Sequence, residues 1–242
     1  MHFKPSFYRS AAVCSVLSAI TTLLLIFLPR FFEPAEGFEG RMARVDDPVY
    51  ELRSWVYLLH PFLALMAAIG VAARIRVQAS AAAVIGLLGF VLWAFTEAFQ
   101  QTLTLFAFDK WRVMYAAADE LTREQIRTNA SMYDGLWDAM YFLLLIGFAI
   151  GNFSLGQALV RWRGLTRVVG SFLLLAFALT LTNIFSELQW MQLSGPLAEW
   201  SYPAIQPLGR ALIGIWLWRV ADESNTRDFP LSTDVTSSTA RE

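Results

Sequence analysis

The stretch Ala79–Phe106 reads ASAAAVIGLLGFVLWAFTEAFQQTLTLF, and Glu97 is its only charged residue. A helix needs about 20 apolar residues to cross a bilayer. This run exceeds that length and shows none of the period-two alternation of a barrel strand. In lipid a continuous helix satisfies every backbone polar group within itself, so a helix that spans, tilts or projects is the reading. That places the chain among membrane proteins, and its one carboxylate raises the first question about function.

Five further runs lie to either side. They are Ala11–Leu28, Ser54–Ala73, Gly135–Val160, Val168–Trp190 and Pro203–Trp218, the last being the shortest. The composition agrees: of 242 residues, 56% are hydrophobic and only 16% charged, against roughly 25% charged in soluble domains. Mean hydropathy is +0.46. The expected fold class is therefore all-α, a polytopic bundle of six transmembrane helices over residues 1–220. The polar tail 221–242 is expected to be disordered. Tryptophan and tyrosine gather near the run ends, among them Trp55, Trp111, Trp137, Trp162, Trp190, Trp200, Tyr202, Trp216 and Trp218, as interface anchors do. The first run is longer than a signal-peptide core and lacks a cleavage site, so it reads as an uncleaved helix.

Orientation follows from basic residues in short links. Arg74–Gln78 and Arg161–Arg167 carry five arginines and no acids. With Lys4 and Arg9 they fall on one side, assigned to the cytoplasm, and both termini join them. The opposite loops, 29–53 and 107–134, contain eight basic residues, so density in short links carries the assignment. Within the second loop, Glu120, Arg123, Glu124 and Arg127 have the spacing of a short surface helix. Arginine outnumbers lysine 17 to 2, which points to a GC-rich bacterial genome and an inner, cell-membrane location. A formal charge of -1 argues against nucleic acid as a partner. Cys14, the single cysteine, excludes an intrachain disulfide.

Function rests on where polar groups are buried. Arg210 lies inside the sixth run, and an isolated arginine near mid-bilayer costs roughly 2.5–3.5 kcal/mol on insertion scales. It should face the bundle interior and find a partner. Counting 1.5 Å per residue puts Glu97 at a similar depth, and an Arg210–Glu97 ion pair is the expected partnership, with Asp138 or Glu187 as alternatives. His60, Tyr141, Asn183 and Gln206 fall in the same outer half, and the inner halves read as nearly pure hydrocarbon. Helical spacing groups Trp93, Glu97, Gln100, Gln101 and Thr104 on one face, Asp134, Asp138 and Tyr141 on another, and Thr180, Asn183 and Glu187 on a third. Pro203 and Pro207 favour an irregular start to the sixth helix.

The expected ligand-binding set is therefore His60, Glu97, Gln100, Gln101, Asp138, Tyr141, Asn183, Glu187, Gln206 and Arg210, lining a cavity open to the non-cytoplasmic side. A small polar or anionic solute that is bound or transported suits this set. A membrane-embedded enzyme or accessory subunit of a complex is the alternative class, and helix packing alone is the plain one. The lipid bilayer is the first partner, with a homo-oligomer or membrane complex as further ones. No catalytic residue or cofactor is identified. A haem held between two histidines would need a second membrane histidine, and the other one is His2. No metal-ligand spacing, Walker motif or GxSxG is present.

Overall fold

The computed structural model describes residues 3–32, 36–190 and 196–227. The fold is all-helical: α1 (Pro5–Phe27), α2 (Gly37–Met42), α3 (Pro48–Ile75), α4 (Ser80–Leu103), α5 (Asp109–Ala117), α6 (Glu120–Leu159), α7 (Leu165–Glu187) and α8 (Pro196–Arg227). There is no strand among the described residues.

Local chemistry sets the helix ends. Pro5 and Pro48 open α1 and α3, where a missing N–H has no helical partner to lose. Asp47 caps α3, its Oδ1 accepting from Val49 N at 2.9 Å and Tyr50 N at 3.1 Å. Asp119 caps α6 by accepting from Thr122 N at 2.9 Å. Two of the long helices run on, at the same end of the bundle, beyond the length a bilayer requires. α4 passes through one π-helical turn, Thr104–Phe108, directly into α5. α6 has 40 residues, about 60 Å at 1.5 Å per residue, twice the hydrocarbon thickness. The expected surface helix at 120–127 is thus the first two turns of α6.

Five helical stretches are long and apolar enough to cross a membrane: Pro5–Phe31, Pro48–Ile75, Ser80–Ala117, Glu120–Leu159 and Leu165–Glu187. Their outward faces are apolar. On α4 alone Val84, Leu88, Phe95 and Phe99 are all more than half exposed, a surface that fits lipid and not water. With α8 these five close into a ring in chain order, α1–α3–α4–α6–α7–α8 and back to α1. Arg9 meets Asp222 at 3.2 Å and Arg74 meets Glu223 at 3.9 Å. The starts of α1 and α4 and the ends of α3 and α8 therefore share one end of the bundle.

The tightest seam joins α4 to α6. Gly89 faces Gly147 and Gly151 so closely that a Cβ on Gly89 would lie 2.5 Å from Gly151 N. The GxxxG pair of α6 is a close-approach site. At the opposite end, α2, α5 and the start of α6 fold into an outer cap around Met42, Phe108, Tyr115, Ile126 and Ala130. Arg41 forks onto Asp134 at 2.8 and 2.9 Å, which raises the Arg41 pKa above the ordinary arginine value despite partial burial. Arg127 binds Glu39, Glu120 and Glu124 at 3.0, 3.0 and 3.1 Å. The charge partner of Glu120 is thus Arg127; Arg123 lies over the Tyr115 ring instead.

Three further expectations are corrected. α8 runs unbroken from Pro196, so Pro203 and Pro207 sit in regular helix. It continues through Arg227, so the first turns of the polar tail are ordered by Arg9 and Arg74 pairing with Asp222 and Glu223. The remainder, 228–242, lies outside the described residues. Trp216 is no interface anchor: it is 4% exposed and donates from Nε1 to Thr166 Oγ1 at 3.0 Å.

Candidate functional site

Toward the outer cap the ring encloses a cavity of about 320 Å³. Seven of the ten expected residues line it: His60, Glu97, Gln100, Gln101, Tyr141, Gln206 and Arg210. Helix period explains the gathering. Glu97, Gln100 and Gln101 share one face of α4, and the π-helical turn follows directly, with Thr104 N donating to both Gln100 O and Gln101 O. Gln100 Nε2 donates to Trp137 O at 3.1 Å and ties this face to α6. Thr104 Oγ1 donates to Gln100 O at 3.1 Å, so Tyr133 OH donates to Thr104 at 2.8 Å.

Arg210 is held differently from the expectation. Glu97 is not within ion-pair distance of it among the described residues. Its Nη1 donates to Ser18 Oγ at 2.7 Å and to His60 Nε2, and its Nη2 reaches Gln206 Oε1 at 3.4 Å. Ser15 Oγ donates to the Arg210 carbonyl at 2.7 Å. The guanidinium lies over the Trp93 ring, 5.6 Å from its centroid, and cation–π attraction supports it there. A guanidinium only donates, so His60 Nε2 accepts and the ring proton sits on Nδ1, which donates to Thr21 Oγ1 at 2.7 Å. Among the described residues, the hydrogen-bond acceptors that hold the cation are neutral, and Glu97 faces the cavity.

Glu97 and Gln101 are each 5% exposed, and neither side chain makes a hydrogen bond among the described residues. Both face the cavity. Arg53 also lines it, beside the Tyr57 ring at 5.2 Å. Two guanidiniums and one carboxylate leave the wall with a net positive charge. A smaller cavity of about 50 Å³ lies deeper, lined by Ser15, Ser18 and Asn152, and shares Phe148, Gln206 and Arg210 with the chamber. Arg210 therefore stands between the two. No group of three His, Cys, Asp or Glu side chains converges on one point among the described residues.

Three expected residues fall outside the chamber wall. Asp138 and Glu187 are exposed; Glu187 closes the last turn of α7, too near the end to be enclosed. Asn183 is half-buried but does not reach the cavity. α7 meets only the deeper space, through Phe172, Leu173 and Ala176. α1 takes the place expected for α7: Thr22 lines the chamber, and Ser15, Ser18 and Thr21 bond Arg210 and His60 behind it. These hydroxyls gave no signal in the sequence, because a serine or threonine in an apolar helix bonds back to its own carbonyls at little cost, as Thr22 does to Ser18 O at 2.7 Å. Asn152, 2% exposed and donating to Phe148 O at 2.8 Å, is a polar exception in the half expected to be nearly pure hydrocarbon.

Comparison with known proteins finds no matching family model, no matching curated protein and no matching solved structure.

Proposed function

We propose that this chain is a six-span protein of a bacterial cell membrane, with both termini cytoplasmic, whose chamber binds a small polar or anionic solute and carries it across. α8 supplies the sixth span. The arginine-rich links at one end of the bundle support the orientation. The observation that carries the functional reading is the pair Glu97 and Gln101, buried, lining a cavity and without a hydrogen bond to protein among the described residues. Polar groups that only pack helices satisfy each other, because an unmet buried donor or acceptor costs about 1–3 kcal/mol. These two are left for something that enters. The charge balance of Arg53 and Arg210 against Glu97 selects for an anion.

The test is thiol accessibility. In a Cys14→Ser background, Gln101→Cys is treated in intact cells with two membrane-impermeant thiol reagents, one carrying a sulfonate and one a trimethylammonium group. Each rate is normalised to that of a free thiol. The expected result is labelling from the non-cytoplasmic side, with the anionic reagent faster, and loss of that preference in Arg53→Gln. No labelling from outside, or a preference for the cationic reagent, refutes the reading.

A further inference from the structure

The opposite end of the bundle holds a second polar cleft of about 320 Å³. It lies where the ends of α3, α6 and α8 meet the start of α7. Three arginines line it, Arg74, Arg163 and Arg219, with one carboxylate, Glu223. Glu223 stands 3.9 Å from Arg74, and Arg74 also lies over the Trp162 ring at 5.7 Å. Arg163 and Arg219 make no hydrogen bond or ion pair among the described residues. Two exposed positive charges on the cleft wall are thus without an ion pair among the described residues.

The backbone adds donors in the same place. Gly164 adopts φ 63°, a conformation a side chain would strain, and so lets α7 start abruptly. Leu165 and Thr166 line the cleft. Their N–H groups come before any carbonyl the helix could offer them, at the positive end of its dipole. The Thr166 hydroxyl accepts from Trp216 Nε1 at 3.0 Å, which leaves its own proton for another acceptor. Guanidiniums, helix amides and a hydroxyl are all donors, and the residues that carry them line one space. A group with several acceptor oxygens and up to two negative charges matches them, whereas a carboxylate offers only two oxygens and one charge.

We infer that this cleft is a phosphate-binding site, taking either the phosphate of an anionic phospholipid headgroup or a soluble phosphate. It is separate from the chamber and does not depend on the reading given above. Nor is it a general property of basic residues at this end. Arg161, only two residues from Arg163, lies outside the cleft, and Arg167 turns its Nε to Trp162 O at 2.9 Å.

That difference supplies the test. The full chain, purified in a neutral detergent, is titrated with dioleoylphosphatidylglycerol, with dioleoylglycerol and with inorganic phosphate. Binding is read by native mass spectrometry and by the thermal midpoint. Arg163→Gln and Arg219→Gln should each weaken phosphate-dependent binding about tenfold, and Arg161→Gln, which removes the same charge nearby, should leave it unchanged. Binding of phosphatidylglycerol without an effect of inorganic phosphate identifies a lipid source. A midpoint raised by inorganic phosphate, with the same sensitivity to the two variants, identifies a soluble one. The inference is overturned if neither phosphate compound binds, if dioleoylglycerol binds as well as phosphatidylglycerol, or if Arg161→Gln weakens binding as much as Arg163→Gln.

Discussion

The α4–α6 seam makes a quantitative prediction. In Gly89→Ala the new Cβ would lie 2.5 Å from Gly151 N and 2.7 Å from Gly147 O, where ordinary contacts begin near 3.4 Å. Both obstacles are backbone, so no side chain can rotate away. The helices must part by about 0.9 Å at this level. Overpacking of this kind costs about 1–3 kcal/mol, and the better helix propensity of alanine returns less than about 1 kcal/mol. The expected net loss is about 1–2 kcal/mol. Gly135→Ala is the control: it lies in α6 with nothing within 4 Å of its Cβ, so only the propensity gain applies. Reversible unfolding in mixed detergent–SDS micelles measures both. Because Gln100 bridges the seam to Trp137 O at 3.1 Å, Gly89→Ala should also speed labelling of Gln101→Cys. A Gly89→Ala protein as stable as wild type, or one shifted in the same direction as Gly135→Ala, would refute the packing argument.

Two other perturbations address the polar networks. Ser18→Ala removes the 2.7 Å acceptor of Arg210 and should destabilise by about 1 kcal/mol, since Gln206 and His60 still hold the guanidinium; Ser10→Ala, far from this contact, should have no such effect in the same unfolding assay. In the outer cap, the hydroxyl of Tyr115 and then the guanidinium of Arg127 donate to Glu39 and lower its carboxyl pKa below the ordinary value. A lowered folded-state pKa contributes stability above the unfolded value, and that contribution is lost as pH falls through the folded one. The thermal midpoint of the wild type should therefore drop more steeply than that of Glu39→Gln as pH falls below about 4.5. Parallel profiles would show that this network does not contribute.

Some of this architecture was legible because lipid imposes a simple rule. Backbone groups must be satisfied internally, so an apolar run such as Ala79–Phe106 had to be a helix wherever its neighbours lay. The inward face of α4 was equally plain, since Glu97, Gln100 and Gln101 recur at helical spacing and lipid offers them nothing. The partner of Arg210 was not legible. Depth along the chain placed Glu97 level with it, but which residues touch depends on how the helices are ordered around the ring. Closure of α8 onto α1 brings Ser15 and Ser18 to the arginine, and two serines in an apolar run carry no mark of that role. Asn183 and Glu187 had as strong a pattern as the α4 stripe, yet α7 meets only the deeper cavity.

The sequence by itself determined the helices, their approximate limits and the cost of burying each polar group, because these depend on a residue and its immediate neighbours in the chain. Only the tertiary structure decided which costly groups neutral hydroxyl, amide and imidazole partners would hold and which would be left facing open space. That choice depends on the rotation and neighbour order of six packed helices, and small residues at the seams, such as Gly89 against Gly151, set those by permitting close contact in one arrangement.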